Sequence, residues 1–241
     1  IRSYEDIAEE CAADLFYATH FAPCGLSSPI AGTVQSVRRL TRESMLKYKE
    51  QVISEIPIYV CAAGKIDHDS LVEECKKVFK NKKTKISKLP ENYGIAPSFK
   101  ISSKPGLQQS SLVWCTSFQK TNLSKDFRFA LSLFNVAFGA GMSSRLFQKI
   151  REEHGLAYTV YSTTDVFSDS YGFSVSLATD PTKLLKSIQL VKNEFLNFME
   201  KGFLEGELKR TKRNILGSLE IGSDNTEKRL LRLAEHRLHF G

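Results

Sequence analysis

The sequence predicts an α+β fold in which strands are backed on one face by long amphipathic helices. Two patterns carry that expectation. Tyr171, Phe173, Val175 and Leu177 alternate with small residues through YGFSVSLAT, the period of a strand with one buried face. Leu184, Ile188, Val191, Phe195 and Met199 follow at spacings of four, three, four and four, a helical stripe suited to covering such a face. At 241 residues and 41% hydrophobic, the chain can bury one large core or two smaller ones.

The elements follow in order. Residues 5–19 place Ile7, Cys11, Leu15 and Ala18 on one helical stripe. A loop rich in Gly, Ser and Pro follows, then a helix around MLKYKEQVI. IPIYVCAAG reads as a buried strand, and DHDSLVEECKKVF as a helix capped by Asp67. Residues 81–106 turn lysine-rich and then proline-bearing, the composition of an inter-domain linker with one short edge strand. QQSSLVWCTSF starts a second run as a strand, followed by a helix from about Lys125 to Phe138 and a break at Gly139–Ala140–Gly141. Ser143 or Ser144 can cap the next helix, which carries Leu146, Phe147 and Ile150 and leads into strands LAYTVYST and YGFSVSLAT. Asp180–Pro181 supplies a cap and an N1 proline for the striped helix, and helices around 204–221 and 225–238 complete the chain.

Charge and cysteine usage narrow the function classes. The net charge is +7, with seven lysines between Lys76 and Lys88. A basic patch for nucleic acid or acidic lipid is one reading of that run. A helix C-terminus entering a solvated linker is the other, and it is preferred because no row of aromatic side chains offers bases a stacking surface. No nucleic-acid partner is therefore expected. No apolar run approaches the roughly 20 residues of a membrane span. The opening IRSYEDIAEE is acidic and helical, not a signal peptide, and its lack of an initiator Met points to sequence removed upstream. Five widely spaced cysteines without a CxxC pair fit buried thiols in a reducing compartment, such as cytoplasm or an organelle matrix.

Three constellations bear on chemistry. The histidines (His20, His68, His154, His236, His239) form neither HExxH nor HxxEH, and His236 with His239 at i, i+3 lacks a third donor, so no metal ligand is assigned. Gly139 and Gly141 match no nucleotide loop. They read as a helix C-cap and turn, or as backbone exposed for contact with an extended peptide. In GMSSRLFQKIREEHGLAYTVYS, Arg151 should end a helix and Tyr158 should open a strand. Together they suit an acyl group under attack, the phenol donating to a developing oxyanion and the guanidinium holding a carbonyl or carboxylate. Equally, Arg151 could neutralise a helix C-terminus and Tyr158 could be a strand aromatic.

That stretch closely resembles the second-half signature of the pitrilysin/insulinase family of zinc peptidases, which includes bacterial and mitochondrial processing peptidases. YEDIAEECAADLFYATHFAPCGLSSPIAGT is similar to the family's helix and loop leading into a PLG…I.GT element, and IPIYVCAAGKIDHDSLVEECKKVF to its strand–glycine–helix. The resemblance covers essentially the whole chain. It implies two homologous α/β modules of the processing-peptidase type, each a mixed β-sheet with helices packed on one face, the first truncated. On that reading residues 1–88 are the C-terminal part of the first domain and 89–106 the linker. Residues 107–241 are then the second, substrate-contacting domain, incomplete at its C-terminus. It implies catalytic and substrate-binding roles for Arg151 and Tyr158, with Gly139 and Gly141 at the substrate.

The family's HxxEH is absent, and its third-ligand glutamate would fall at or just before Ile1. Zinc is therefore expected in the intact protein and none in this fragment, which should be inactive alone. The implied partner is an extended peptide or precursor protein, with self-association or a partner subunit also expected. The rival readings are a non-catalytic peptide-binding or scaffolding subunit of the same family, and a basic nucleic-acid-binding module.

Overall fold

The computed structural model describes residues 7–22, 25–56, 58–79, 99–103, 106–120, 123–124, 126–167 and 169–240, the side chains of residues 239 and 240 apart. Residues 89–98 and 104–105 of the linker expected at 89–106, and most of the lysine run, lie outside that description. The chain divides into two compact units, Ile1–Val34 with Asn92–Ile215 and Gln35–Glu91 with Leu216–Gly241.

The first unit is the α+β layer that the alternation predicts. Strands β1 (Ser110–Gln119), β2 (Ala157–Val166) and β3 (Ser170–Thr179) form an antiparallel sheet in the order β1-β3-β2. Tyr171, Phe173, Val175 and Leu177 of the central strand are all buried. Register sets Leu112, Trp114 and Phe118 of β1 and Val160 and Ser162 of β2 beside them on one face. The α-helices among the described residues are α1 (Ala8–His20), the short α2 (Val34–Arg38), α3 (Arg42–Glu55), α4 (His68–Val78), α5 (Phe127–Phe138), α6 (Leu184–Lys201), α7 (Glu207–Asp224) and α8 (Thr226–Phe240). Phe134 and Phe138 of α5 stack on each other and tilt against Phe173, and Phe195 and Phe198 of α6 meet both of them edge-on. The stripe on α6 ends on Phe198, not on Met199 as expected: Met199 is 69% exposed. After Phe195 a step of three keeps the apolar face in line, whereas a step of four lets it drift.

The sheet's other face is covered by α1. Tyr17 hydrogen-bonds Asp165 of β2, His20 Nε2 lies 2.9 Å from Ser117 Oγ of β1, and Phe21 packs on Phe167. Asp180 caps the entry to α6 as foreseen, accepting the Thr182 N–H at 2.8 Å before a short 3-10 turn at Pro181–Lys183.

One buried ion pair ties the site-bearing segment to the start of α7. Arg145 donates Nε and Nη2 to the Glu207 carboxylate at 2.9 and 2.6 Å, gives Nη2 to Gly202 O at 2.7 Å, and lies 4.4 Å over the Phe198 ring. The two side chains are only 9% and 6% exposed. Burial pushes the Glu207 carboxyl up, but hydrogen bonds from Arg145 and the Leu204 N–H more than reverse it, leaving a net downward displacement.

In the second unit α3 opens on a reciprocal capping box between Thr41 and Ser44, and α4 on Asp67, which accepts the Ser70 N–H at 2.9 Å. Among the described residues, IPIYVCAAG does not form the buried strand expected of it. Residues 58–63 pair with no strand among the described residues, and Ile58, Tyr59 and Val60 are exposed. An apolar run becomes a strand only where a neighbour takes its backbone hydrogen bonds. No described side chain of α3, α4 or α8 is buried.

Arg145→Ala strands the Glu207 carboxylate in the core and is expected to cost about 3–5 kcal/mol in urea unfolding. Because the folded carboxyl sits below its ordinary value, the pair's contribution is complete above the usual glutamate range. It is lost as pH falls through the lowered value, so an acid titration of stability should flatten there in Glu207→Gln.

Candidate functional site

The segment that carries the site starts where α5 stops. Gly139 caps that helix with its N–H on Asn135 O at 2.9 Å, and its carbonyl accepts the Ser162 N–H of β2 at 3.2 Å. A Cβ there would stand 2.4 Å from Ser162 Oγ and 2.7 Å from Ser162 N, so only glycine permits this approach of helix to strand. Ser162 Oγ completes the junction by donating to Asn135 Oδ1 at 2.7 Å. Gly139, expected at the substrate, is thus buried with its main-chain groups engaged inside the fold. Gly141, its companion in that expectation, is exposed with φ +127°.

Ser144 is buried, and its Oγ accepts the Phe147 N–H at 3.4 Å, the cap that the sequence offered. The helix then departs from expectation: Phe147–Glu153 is a π-helix. Each turn holds about one residue more than an α-turn, a form found mostly as single turns and frequently at functional sites. Leu146 and Ile150 are fully buried and fix this segment to the core. Gly155, at φ +55°, reverses the chain in a conformation that side chains resist, and the Leu156 N–H closes the turn on Ile150 O at 3.0 Å. Strand β2 then begins with a second irregularity. Ala157 lies opposite Thr179 and Thr159 opposite Ala178, so Tyr158 is the extra residue of a β-bulge.

The two irregularities re-aim the two residues named from sequence, and those residues meet. Arg151 Nη1 donates to Tyr158 O at 2.9 Å. The guanidinium carbon lies 5.1 Å from the Tyr158 ring centre and 4.9 Å from that of Phe147, and Nε stands 3.9 Å from the Glu152 carboxylate. Tyr158 is 76% exposed and the Arg151 side chain 39%. One of the five guanidinium N–H donors is directed at Tyr158 O, leaving others to reach an external carbonyl or carboxylate. The exposed phenol adds a further donor. Phe147 was missed as a member of this group, though its spacing of four from Arg151 was a legible signal.

A second cluster of titratable groups lies under α1. Burial raises the Asp165 carboxyl, a rise reduced by the Tyr17 hydroxyl, and burial beside Asp165 pushes the Cys115 thiol up to about 12. Such a thiol supplies no thiolate near neutral pH. Burial also lowers His20. These groups bind α1 to the sheet.

For zinc, which the family resemblance implies, the described residues supply no donor set. Among the described residues no three His, Cys, Asp or Glu side chains group to hold a metal ion. His20 is engaged by Ser117, and His154 Nδ1 lies 2.8 Å from Lys149 O. The His239 side chain lies outside the description. No described helix is long and apolar enough to cross a membrane.

Comparison with known proteins gives a consistent result. The family described as the peptidase M16 inactive domain matches residues 39–215. A protein of Mycobacterium tuberculosis named as an uncharacterized zinc protease is 30% identical over 246 aligned positions, covering 98% of this chain and 55% of that protein. The chain thus spans about half the length of the curated relatives it matches. A conserved protein from Enterococcus faecalis superposes with a TM-score of 0.81 at 21% identity, covering 98% of this chain and 56% of that one. A peptidase M16 inactive domain from Pseudomonas fluorescens gives 0.76 at 18% identity, with 98% and 56% covered. At such identities the solved structures establish the fold alone.

Gly139→Ala forces a methyl against Ser162 and should lower stability by about 1–3 kcal/mol, as overpacking does. A melting curve coincident with the parent's would contradict the close approach. Elemental analysis of the purified chain is expected to find substoichiometric zinc, and one tightly bound zinc per chain would contradict this account of the donors.

Proposed function

The chain belongs to the family described as the peptidase M16 inactive domain, and on that footing we propose that it is the substrate-orienting part of a zinc-dependent metalloendopeptidase that cleaves peptides or processes precursor proteins. The longer protein supplies the metal-binding residues, and with them the activation of water. This chain supplies Arg151 and Tyr158. The observation that carries the reading is their meeting at an exposed turn, each displaced from regular geometry by one extra residue.

The substrate lies extended, adding to a sheet edge. Arg151 holds a substrate carbonyl or carboxylate through its remaining N–H donors, which orients the chain. The Tyr158 hydroxyl donates toward the oxygen on which charge develops as the acyl carbon becomes tetrahedral. Gly141, exposed and without a side chain, leaves room for the peptide, its own N–H and carbonyl being engaged by Gly139 and Ser144, while Gly139 serves only the fold.

A second reading, a non-catalytic peptide-binding or scaffolding subunit, is favoured by the word inactive in the description of the matching family. Association, with a second copy or a partner subunit, belongs to both readings. It is supported by the exposed apolar side chains of the second unit, Leu216, Ile221, Leu231, Leu233 and Leu238 among them.

The test is hydrolysis of a fluorogenic peptide by the full-length protein. Tyr158→Phe should lower kcat by roughly 10²–10³-fold, the usual effect of removing one oxyanion donor. Arg151→Ala should chiefly raise KM, with the melting temperature of both variants unchanged. Parent-like kinetics in both variants would contradict the reading. Peptide binding without turnover by the parent itself would favour the subunit.

A further inference from the structure

Phe147 is an aromatic side chain that neither the core nor the proposed chemistry uses. It is half-buried, and among the described residues it is not one of those that form or pack against the buried core. Instead the Arg151 guanidinium lies 4.9 Å above its ring centre, four residues along the same π-helix. The guanidinium also lies over the Tyr158 ring at 5.1 Å, and its Nη1 is bonded to Tyr158 O at 2.9 Å. A long side chain at a partly exposed site loses considerable rotamer freedom when it binds a ligand. Two aromatic faces and one hydrogen bond remove much of that freedom beforehand. A flat cation held over ring faces keeps the N–H bonds in its own plane for acceptors.

We infer that Phe147 is a positioning residue, holding the Arg151 guanidinium beside Tyr158 so that its in-plane N–H donors meet a peptide carbonyl or carboxylate. The inference rests on the reading of Arg151 as a substrate contact and adds to it a specific cause of preorganisation. The sequence alternatives at this position follow from the mechanism. Tyrosine keeps a ring face, whereas leucine and methionine keep apolar volume without one.

Four forms of the full-length protein test it against a fluorogenic peptide: Phe147→Leu, Phe147→Tyr, Arg151→Ala and the double variant Phe147→Leu/Arg151→Ala. Phe147→Leu should raise KM roughly 5- to 30-fold, the range of a lost cation–π contact at a partly desolvated site, with kcat kept within about twofold. Phe147→Tyr should restore parent kinetics. In the Arg151→Ala background, Phe147→Leu should add less than about twofold, because the group it positions is gone. Phe147→Met replaces the leucine variant if that form melts early. An effect of Phe147→Leu that is equally large with and without Arg151 overturns the positioning role, as does no effect where Arg151→Ala is impaired. Parent activity in Arg151→Ala overturns the reading of Arg151 itself, and the inference with it.

Discussion

The turn between Ile150 and Ala157 is pinned at both ends by burial, and the rest of the site depends on that constraint. Ile150, Leu156 and Ala157 are all sealed in the core, and the chain between them must reverse in a few residues at Gly155. The residue following the first anchor is Arg151, and the residue following the last is Tyr158. Each sits in a backbone irregularity, the π-helix for one and the β-bulge for the other. Extra residues that the core cannot take are displaced outward, and here the two displaced residues come within hydrogen-bonding distance of each other. Such irregularities forgo regular backbone pairing, and here one stands on each side of a single turn.

Different forces hold the platform and aim it. Burial of the phenylalanines of α5 and α6 on the sheet provides the stabilisation, a few kcal/mol for each large apolar side chain. The Arg145–Glu207 pair adds little net stability relative to apolar residues of similar volume, because both charges lose their water. Its contribution is positional. A bidentate fork, with a further bond to Gly202 O, allows one arrangement of the segment entering the π-helix against the turn before α7. The Gly139–Ser162 contact does the same from the other side, setting the distance between the end of α5 and β2.

Much of this was legible in the sequence where the signal is local. The alternation in β3 survives because every second residue meets the same apolar layer, and Asp67 and Asp180 were recognisable as caps because a cap acts within three residues. Arg151 and Tyr158 were legible as a pair by resemblance, while their meeting depended on two irregularities that leave no periodic trace. Glu207 as the partner of Arg145 lies 62 residues away, beyond any local pattern. IPIYVCAAG shows the opposite failure, since its composition is that of a strand but pairing is settled by neighbours. The α6 stripe was misplaced by one residue at its end, where Phe198 and Met199 are equally apolar and only the rotation of the helix separates them.

The central claim is that the turn delivers one cation and one phenol to the same stretch of bound peptide. A crystal structure of the full-length protein with a non-hydrolysable extended peptide tests it most directly. The account predicts an oxygen of the peptide main chain within about 3 Å of the Arg151 guanidinium, ordinary hydrogen-bond range, with the Tyr158 hydroxyl directed at the acyl group to be attacked. A peptide seated elsewhere, with both side chains still facing solvent, would contradict it.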